Sequence, residues 1–419
     1  MQALIRSMSN LLTMTNNGTY KIGDICDVKT GKKDVNAENV DGKYPFFTCA
    51  QGIHKINTYT FDDEAVLVAG NGFFNVKYYK GKFDAYQRTY VLHNFKSNIR
   101  GKYLYYFINH RLDDITKDNR GSTIRYIRLG DITEQQVSLP PIEQQDKAIE
   151  LLDQAIQEIS LGSEKVSKSR LLVQKFKQAI LSAAVTGKLT ENWRAKNYDD
   201  DTYQDFNLEN GEVIQIPALW ERRAIGDFVL DIEAGKNFTC PEVPVSGNNV
   251  GIVKISAVTW GEFDEKETKT VEDESKIDEK LFINKEDFLI SRANTIELVG
   301  ASVVVGEVRH KIMLSDKVWR VNFEDINKEY VNYYLKSRIG RSEIEARATG
   351  NQQSMRNISQ SNFKAINLPT PSDNEQAEIV RIVKQYLEIA NQVEKQIEKA
   401  EARVSKLTQA ILAKTFRQE

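Results

Sequence analysis

The sequence predicts an α+β protein in which two globular α/β segments alternate with two copies of one long helix. The heptapeptide at 178–184, Gln-Ala-Ile-Leu-Ser-Ala-Ala, returns at 409–415 as Gln-Ala-Ile-Leu-Ala-Lys-Thr, 231 residues later. Apolar residues around both copies recur in steps of three, four or seven over about five heptads, which is the spacing of a helix-packing seam. With the same offset, the seam positions Ile149, Leu152, Ile156, Ile159, Val166, Val173, Phe176 and Ile180 fall on Val380, Val383, Leu387, Ala390, Ile397, Val404, Leu407 and Ile411. We interpret the two segments as copies of one helix that pack on each other; two unrelated amphipathic core helices are the alternative.

The two helices divide the chain into five segments. We predict a first globule over 1–142, a helix over 143–186, a linker over 187–219, a second globule over 220–370 and a second helix over 371–419. Apolar runs at 65–69 and 89–92 predict strands in the first globule, and the apolar residues of 102–111 predict a helix. The linker is rich in acidic residues, and we expect a solvated connector there.

The second globule repeats features of the first in the same order. The repeated pairs are 22–24 with 225–227, 31–32 with 235–236, 64–69 with 286–291, 103–111 with 330–338, and 121–140 with 350–369, the last without a gap. The intervening residues differ strongly. The chain is therefore an internal duplication with similar frameworks and different loops.

Composition is that of a soluble globular protein large enough for two or three domains. Of 419 residues, 41% are hydrophobic and 28% charged, and the net charge is −2, so overall charge does not indicate a DNA-coating protein. Three scattered cysteines, Cys26, Cys49 and Cys240, lack metal-binding spacing and indicate a reducing cytoplasm. Residues 1–17 carry apolar side chains at helical spacing, which favours a short packing helix over a signal peptide. No apolar run is long enough to span a membrane.

Enzyme signatures are missing from the sequence. It contains no GxxxxGK[ST] phosphate loop, no GxSxG elbow, no HExxH zinc motif and no Asn-Pro-Pro-aromatic methyltransferase motif. The four histidines are scattered, and surface or packing roles are the simplest interpretation. A hydrolase with an unrecognised site remains an alternative.

Local patches favour nucleic-acid binding. Residues 16–142 hold 18 basic and 14 acidic side chains, and their loops mix residue types that bind base edges with types that bind phosphates. The candidates in the first globule are Lys43, Gln51, Lys55, Asn71, Lys77, Arg88, Arg120, Ser122, Thr123, Arg125 and Arg128. In the second globule, which is net acidic, they are Lys236, Asn237, Arg292, Asn294, Thr295, Arg347, Asn351, Gln352, Gln353, Ser354 and Arg356. Ordinary polar loops are the alternative, but two such clusters at equivalent places in a duplicated chain favour a function.

The layout resembles the specificity subunit of type I restriction–modification systems over nearly the whole chain. The resemblance rests on Leu139–Gln145 leading into a helix, Gln178–Leu189 followed by Trp193, Ile216–Glu221, and the partial repeats at 368–376 and 407–416. There are two departures. The segment before the second helix, which begins at Leu368, differs by two residues in length from the segment before the first helix, which begins at Leu139. Phe416 is not followed by a glycine equivalent to Gly187.

The resemblance implies two target-recognition domains, each reading one half of a bipartite DNA site, and two conserved helices that pair as an antiparallel coiled coil and act as a spacer. If both domains read one face of B-DNA, the half-site centres should lie about 10 bp apart. The implied partners are double-stranded DNA, methyltransferase subunits and restriction subunits. S-adenosylmethionine, ATP and Mg are expected on those partner subunits, and no cofactor or catalytic residue is expected in this chain. A coiled-coil scaffold whose globules bind a protein or glycan is the rival function.

Overall fold

The computed structural model describes residues 18–199, 202–352 and 355–416. The described chain divides into two compact units. Unit 1 holds the residues up to Lys168 and those from Ile397 onward, and unit 2 holds Ser169–Gln396. The short helix expected over residues 1–17 lies outside the described residues.

Unit 1 contains short strands, three shorter helices and parts of both long helices. Its strands are β1 (Gly18–Lys21), β2 (Asp27–Thr30), β3 (Tyr44–Phe47), β4 (His54–Ile56), β5 (Phe61–Ala69), β6 (Val76–Ala85), β7 (Thr89–His93) and β8 (Gln136–Leu139). Its helices are α1 (Ile22–Ile25), α2 (Gly101–Thr116), α3 (Leu129–Thr133) and the first part of α4 (Ile142–Val185), with the last part of the long helix at Asp373–Thr415.

Six strands of unit 1 form one mixed sheet in the order β2–β7–β5–β6–β3–β4. The five residues Ala65–Ala69 of β5 are all buried, which explains why this part of the central strand is an unbroken apolar run. Helix α2 packs on the sheet through residues such as Leu104 and Ile108, four positions apart on one helix face. The strands predicted at 65–69 and 89–92 and the helix predicted at 102–111 are therefore confirmed.

Unit 2 holds the rest of both long helices and the second globule. Its helices are the last part of α4, then α5 (Glu191–Asn197), α6 (Ser256–Thr259), α7 (Lys328–Lys336), α8 (Arg338–Arg347), α9 (Gln360–Lys364) and the first part of α10 (Asp373–Thr415). Its strands are β9 (Tyr203–Asn207), β10 (Val213–Pro217), β11 (Glu221–Ala224), β12 (Val229–Ala234), β13 (Val250–Val253), β14 (Thr268–Val271), β15 (Phe288–Ser291), β16 (Ala293–Asn294), β17 (Ser302–Val304), β18 (Lys311–Met313), β19 (Val318–Phe323), β20 (Thr349–Gln352), β21 (Met355–Asn357) and β22 (Asn367–Thr370).

The main sheet of unit 2 has the order β12–β19–β15–β17, and smaller sheets have the orders β14–β13–β18 and β16–β21–β20. Strand β15 is buried along its whole length, like residues 65–69 of its counterpart β5. The sequence pairs 330–338 with the helical segment 103–111, and the helix found there, α7, ends at Lys336 because Ser337 adopts an extended conformation (φ −68°, ψ 159°). The Ser337 hydroxyl then accepts a hydrogen bond from the Gly340 N–H at 3.1 Å and starts α8.

The segment expected to be a solvated connector is instead part of the unit 2 core, so that prediction was wrong. Strands β9 and β10 pair as an antiparallel hairpin. Phe206 and Ile216 of this hairpin are 0% and 1% exposed and join the same apolar cluster as Tyr330 and Ile379. Asp205, one of the acidic residues that suggested a connector, is exposed on β9 while the adjacent Phe206 is buried, and composition alone does not separate such a strand from a connector.

The two long helices pack antiparallel, as expected. In unit 1, Leu152 and Ile159 from the first half of α4 cluster with Leu412 from the end of α10. In unit 2, Leu181 from the end of α4 clusters with Val383 from the start of α10. The predicted pairing of the repeated segments is therefore confirmed.

The predicted ungapped alignment of 121–140 with 350–369 was wrong over most of its length. The Gln145 side chain donates to the Pro140 carbonyl at 2.8 Å, and the Gln376 side chain donates to the Pro371 carbonyl at 2.9 Å. The Gln145 side-chain oxygen accepts from the Arg100 N–H, and the Gln376 side-chain oxygen accepts from the Asn327 N–H, both at 2.9 Å. The two helix starts are thus equivalent at an offset of 231 residues. The two-residue difference noted in the sequence lies earlier in the chain.

Candidate nucleic-acid interface

Each unit carries a hairpin at the end of its central strand. In unit 1, which contains β5, isolated bridges join Asn71 to Tyr126 and Arg120 to Tyr126. In unit 2, which contains β15, the sheet β16–β21–β20 has the same arrangement. We call residues 120–126 hairpin 1 and residues 349–357 hairpin 2.

Backbone hydrogen bonds show which residues of the two hairpins correspond. The Ile127 N–H donates to the Gly70 carbonyl, and the Ile358 N–H donates to the Arg292 carbonyl, both at 2.9 Å. Gly70 and Arg292 are therefore equivalent, as the sequence alignment of the central strands predicts.

The arginines of the two hairpins correspond in the same way. The Gly72 N–H donates to the Arg125 carbonyl at 2.8 Å, and Asn294 is the strand partner of Arg356. Hairpin 1 closes with the pair Arg120 and Tyr126, whereas hairpin 2 closes with Thr349 and Asn357. Hairpin 2 is thus two residues longer, which accounts for the change of offset along the chain.

The candidate DNA-binding residues of hairpin 1 differ in exposure and in their protein partners. Ser122, Thr123 and Arg125 are exposed, and the Arg125 side chain has no hydrogen-bond or ion-pair partner within the described ranges. Arg120 instead binds Asp131, with Nη1 2.6 Å from Oδ2. The hydrogen bond that Arg120 donates to Asp131 raises the pKa of its guanidinium. This pair supports the hairpin, and the DNA contact of Arg120 stays a prediction. Arg128 is exposed directly before α3.

In hairpin 2 the notable side chain is Arg356. It is half-buried, and its Nε–H is buried without a hydrogen-bond partner among residues 18–199, 202–352 and 355–416. A buried donor of a charged group that is left unpaired costs free energy, so an external acceptor would stabilise it. Asn351 and Gln352 lie on β20. Gln353 and Ser354 lie outside the described residues.

The DNA contact of Lys77 stays a prediction, and the structure shows that its ammonium has three protein partners. Its ammonium donates to the Thr48 carbonyl at 3.3 Å, the Ala50 carbonyl at 2.6 Å and Asn75 Oδ1 at 2.5 Å. All three N–H donors of a lysine are thereby used, and burial lowers the pKa of this ammonium. Lys77 therefore positions the loop that precedes Gln51.

Arg347 also has protein partners in the structure. Its Nη1 lies 2.7 Å from Glu343 Oε2 and its Nη2 lies 2.9 Å from Glu209 Oε2. The Glu343 side chain is 1% exposed, so this pair belongs to the interior of unit 2. The guanidinium therefore supports the structure beside hairpin 2, and its DNA contact stays a prediction.

The remaining candidates lie on the surface or close to it. The exposed ones are Lys43, Gln51, Lys55, Arg88, Lys236, Asn237 and Arg292. Asn71, Asn294 and Thr295 are half-buried beside the hairpins, and Asn294 Oδ1 accepts from the Thr295 N–H at 2.9 Å. Asn237 lines a cavity of about 280 Å³ together with Lys254 and Lys269. The structure thus groups Asn71 with hairpin 1 and Arg292, Asn294 and Thr295 with hairpin 2.

Sequence reasoning missed the exposed apolar residues near these loops. Ile124 is 59% exposed and Met355 is 62% exposed. Trp260 is 75% exposed. It lies near hairpin 2, because Oγ1 of its neighbour Thr259 is 3.5 Å from Asn294 Nδ2. An apolar residue within a polar loop was the available signal, but the sequence does not separate an exposed side chain from a buried one.

Two further surveys cover the part of the chain that the structure describes. There, no group of three or more His, Cys, Asp or Glu side chains lies close enough to hold a metal ion. No helix in those residues is both long and apolar enough to cross a membrane.

Comparison with known proteins gives one consistent result. The family model described as "Type I restriction modification DNA specificity domain" matches residues 14–167 and 217–400. The chain is 32% identical over 408 residues to the Type I restriction enzyme EcoDI specificity subunit of Escherichia coli, covering 96% of this chain and 88% of that protein. It is 29% identical over 311 residues to the Type I restriction enzyme EcoKI specificity subunit of Escherichia coli strain K12, covering 73% of this chain and 62% of that protein.

A solved chain also shares the fold. It comes from a structure described as the structural basis of complex assembly and conformational transition of the type I R-M system. The TM-score is 0.61 at 15% identity, and the match covers 96% of this chain and 98% of that chain. Hairpin 1 lies in the first matched segment and hairpin 2 in the second. With both segments matched and a relative 32% identical over nearly its whole length, the chain belongs to the type I restriction–modification DNA specificity family.

Proposed function

We propose that this chain selects the DNA target of a type I restriction–modification complex, each unit reading one half of a bipartite site through its hairpin. One observation carries the proposal. Hairpin 1 and hairpin 2 have equivalent frameworks and different sequences, and each holds an arginine without a protein acceptor among the described residues. A common framework with different side chains is what two readers of different half-sites require.

The hairpin residues divide into positioning and reading roles. Arg125 and Arg356 suit phosphate oxygens, since guanidinium groups form paired charge-assisted hydrogen bonds. Ser122 and Thr123 suit phosphates as well. The amides of Asn294 and Gln352 suit adenine, which offers one donor and one acceptor in the major groove. The other residues that we propose to contact DNA are Lys43, Gln51, Lys55, Asn71, Arg88, Arg128, Lys236, Asn237, Arg292, Thr295, Asn351, Gln353 and Ser354.

The test measures how binding depends on salt. The assembled complex, with its modification subunits, is titrated against its mapped site and a scrambled duplex at two salt concentrations. Arg125→Ala and Arg356→Ala should each weaken binding to both duplexes and lower the salt slope by about one unit. The control is Arg309→Ala, whose side chain is 83% exposed and lies away from the hairpins in sequence. Unchanged affinity and slope in both hairpin variants would exclude these loops as the DNA surface.

We also propose that the long helices bind the modification subunits. Leu171 and Leu172 on α4 are 50% and 55% exposed, and Ile389 and Val393 on α10 are 48% and 43% exposed. Apolar side chains exposed on both helices of unit 2 are suited to a protein partner. In this proposal restriction subunits join the same complex, and S-adenosylmethionine, ATP and Mg are bound by the partner subunits.

A single substitution tests the helix surface. Leu172→Asp should leave the thermal stability of the chain unchanged, because the side chain is already exposed, but should weaken co-elution with modification subunits in size-exclusion chromatography. Val243→Asp, at a position 57% exposed in the second globule, is the matched control. Full assembly of Leu172→Asp would show that the partner contacts another surface.

A further inference from the structure

Each hairpin presents an exposed apolar side chain directly before the arginine that has no partner in the described part of the chain. Ile124 precedes Arg125, and Met355 precedes Arg356. Because the two arginines occupy equivalent backbone positions, Ile124 and Met355 are equivalent as well. The hairpins differ in length and in most of their side chains, yet each has an exposed apolar residue followed by an arginine.

Folding does not explain these two side chains. Ile124 and Met355 are 59% and 62% exposed, and neither belongs to an apolar cluster of its unit within the described ranges. A single exposed apolar residue is ordinary on a protein surface. Two at equivalent positions, each beside a guanidinium that lacks an acceptor among the described residues, indicate one shared ligand chemistry.

The orientation of Met355 and Arg356 in hairpin 2 suits a groove that offers both phosphates and base edges. Met355 and Arg356 are neighbours on β21, and successive side chains of a strand point to opposite faces. Their burial agrees, since Met355 is exposed and Arg356 is half-buried. A two-stranded ribbon fits the major groove of B-DNA, where phosphates line the walls and base edges form the floor. The apolar side chain and the arginine can then contact different parts of the groove.

The major groove offers one apolar group at the base edges, which is the 5-methyl group of thymine. We propose that Ile124 and Met355 are specificity-determining residues, each contacting a thymine methyl group in one half of the site. This inference rests on the proposed DNA-reading function of the hairpins. Arg125 and Arg356 bind phosphate in this arrangement and contribute affinity without base preference.

Uracil substitution isolates the proposed contact, because deoxyuridine pairs like thymidine and lacks only the methyl group. The recognised site is first mapped by sequencing methylated DNA from cells that express the complex. Each thymine of the site is then replaced by uracil, one at a time, and binding by the assembled complex is measured. We expect one sensitive position in each half-site, where uracil weakens binding about fourfold, the effect of one buried methyl group.

The variants assign each sensitive position to one residue. In Met355→Ala, thymine and uracil should bind equally at the sensitive position of one half-site, while the other half-site keeps its discrimination. Ile124→Ala should show the reverse pattern. Arg356→Ala should lower the salt slope and keep the discrimination, which separates the two neighbouring residues.

Control substitutions and the unfolding temperature separate this effect from misfolding. Val40→Ala in unit 1 and Leu230→Ala in unit 2 change side chains that are 80% and 57% exposed, and should leave every uracil effect in place. The inference is overturned if no uracil position weakens wild-type binding, or if discrimination persists in the Ile124 and Met355 variants. A wild-type complex that does not distinguish its mapped site from scrambled DNA would overturn the proposed function itself.

Discussion

Arg194 and Glu375 form a buried ion pair that ties the segment after α4 to the start of α10. Arg194 Nη1 lies 2.8 Å from Glu375 Oε1, and the two side chains are 1% and 2% exposed. Thr190 Oγ1 donates to the same carboxylate oxygen at 2.7 Å, and Trp220 Nε1 donates to the other at 2.9 Å. The carboxylate thus has a partner on each oxygen, which offsets part of the cost of its burial.

We expect Glu375→Ala to lower the free energy of unfolding by about 3–5 kcal/mol, because it leaves the Arg194 charge buried without its partner. Urea unfolding of the full chain measures this change. The matched control is Glu307→Ala, which breaks an exposed pair with Lys285 whose side chains are 77% and 62% exposed. That loss should be much smaller, because an exposed ion pair contributes little to stability. Equal losses in both variants would show that Glu375 is not a buried anchor.

The helix seam should tolerate charge at exposed positions and not at buried ones. Leu152 in α4 is 0% exposed and packs with Leu412 of α10, whereas Leu161 in the same helix is 51% exposed. Leu152→Asp should cost several kcal/mol, about the penalty of burying an unpaired charge, and Leu161→Asp should cost little. Thermal unfolding of both variants makes the comparison. A Leu152→Asp chain as stable as Leu161→Asp would contradict the packing of α4 on α10.

Recognition of the two half-sites should be separable. Replacing residues 221–370 with the corresponding segment of a relative should change one half of the methylated site and leave the other unchanged. The exchange begins after Trp220 so that its hydrogen bond to Glu375 is kept. Sequencing of methylated DNA gives the outcome. A change in both halves would contradict independent reading by the two hairpins.

The stability of unit 2 should depend on pH through Lys336. Its ammonium donates to the Gly261 carbonyl at 2.6 Å, and burial lowers its pKa from 10.5 to about 8. Between those values the unfolded chain binds more protons than the folded chain, so the stability contributed by this group rises with pH. The difference in unfolding free energy between wild type and Lys336→Met should therefore rise above pH 8 and be flat below it. A difference that does not change with pH would exclude this effect.

Much of the framework could be predicted because it depends on local periodicity. Helices α4 and α10 follow from a heptad pattern that spans each whole segment, and β5 follows from an unbroken apolar run. Gly187, with a positive φ of 76°, follows the end of α4 as the sequence indicated. The motifs around Leu139–Gln145 and Gln178–Leu189 were sufficient to identify the family.

The site was less predictable, because the availability of a side chain depends on distant partners. Arg125 and Arg347 are the same residue type in polar loops, yet Arg125 is unpaired among the described residues and Arg347 is held by Glu343 and Glu209. The Arg347–Glu209 pair is 138 residues apart in sequence. Such pairings are set by the fold, and residue type and spacing do not reveal them.

The sequence by itself determined the duplicated order of the chain, the two long helices and the family, since each depends on patterns within continuous segments. The tertiary structure alone decided that the segment after α4 is core rather than connector, because Phe206 and Ile216 are buried against residues more than a hundred positions later. It also decided that Ile124 and Met355 remain exposed at equivalent positions. Burial and exposure result from packing between segments far apart in the chain, and a local pattern carries no record of that packing.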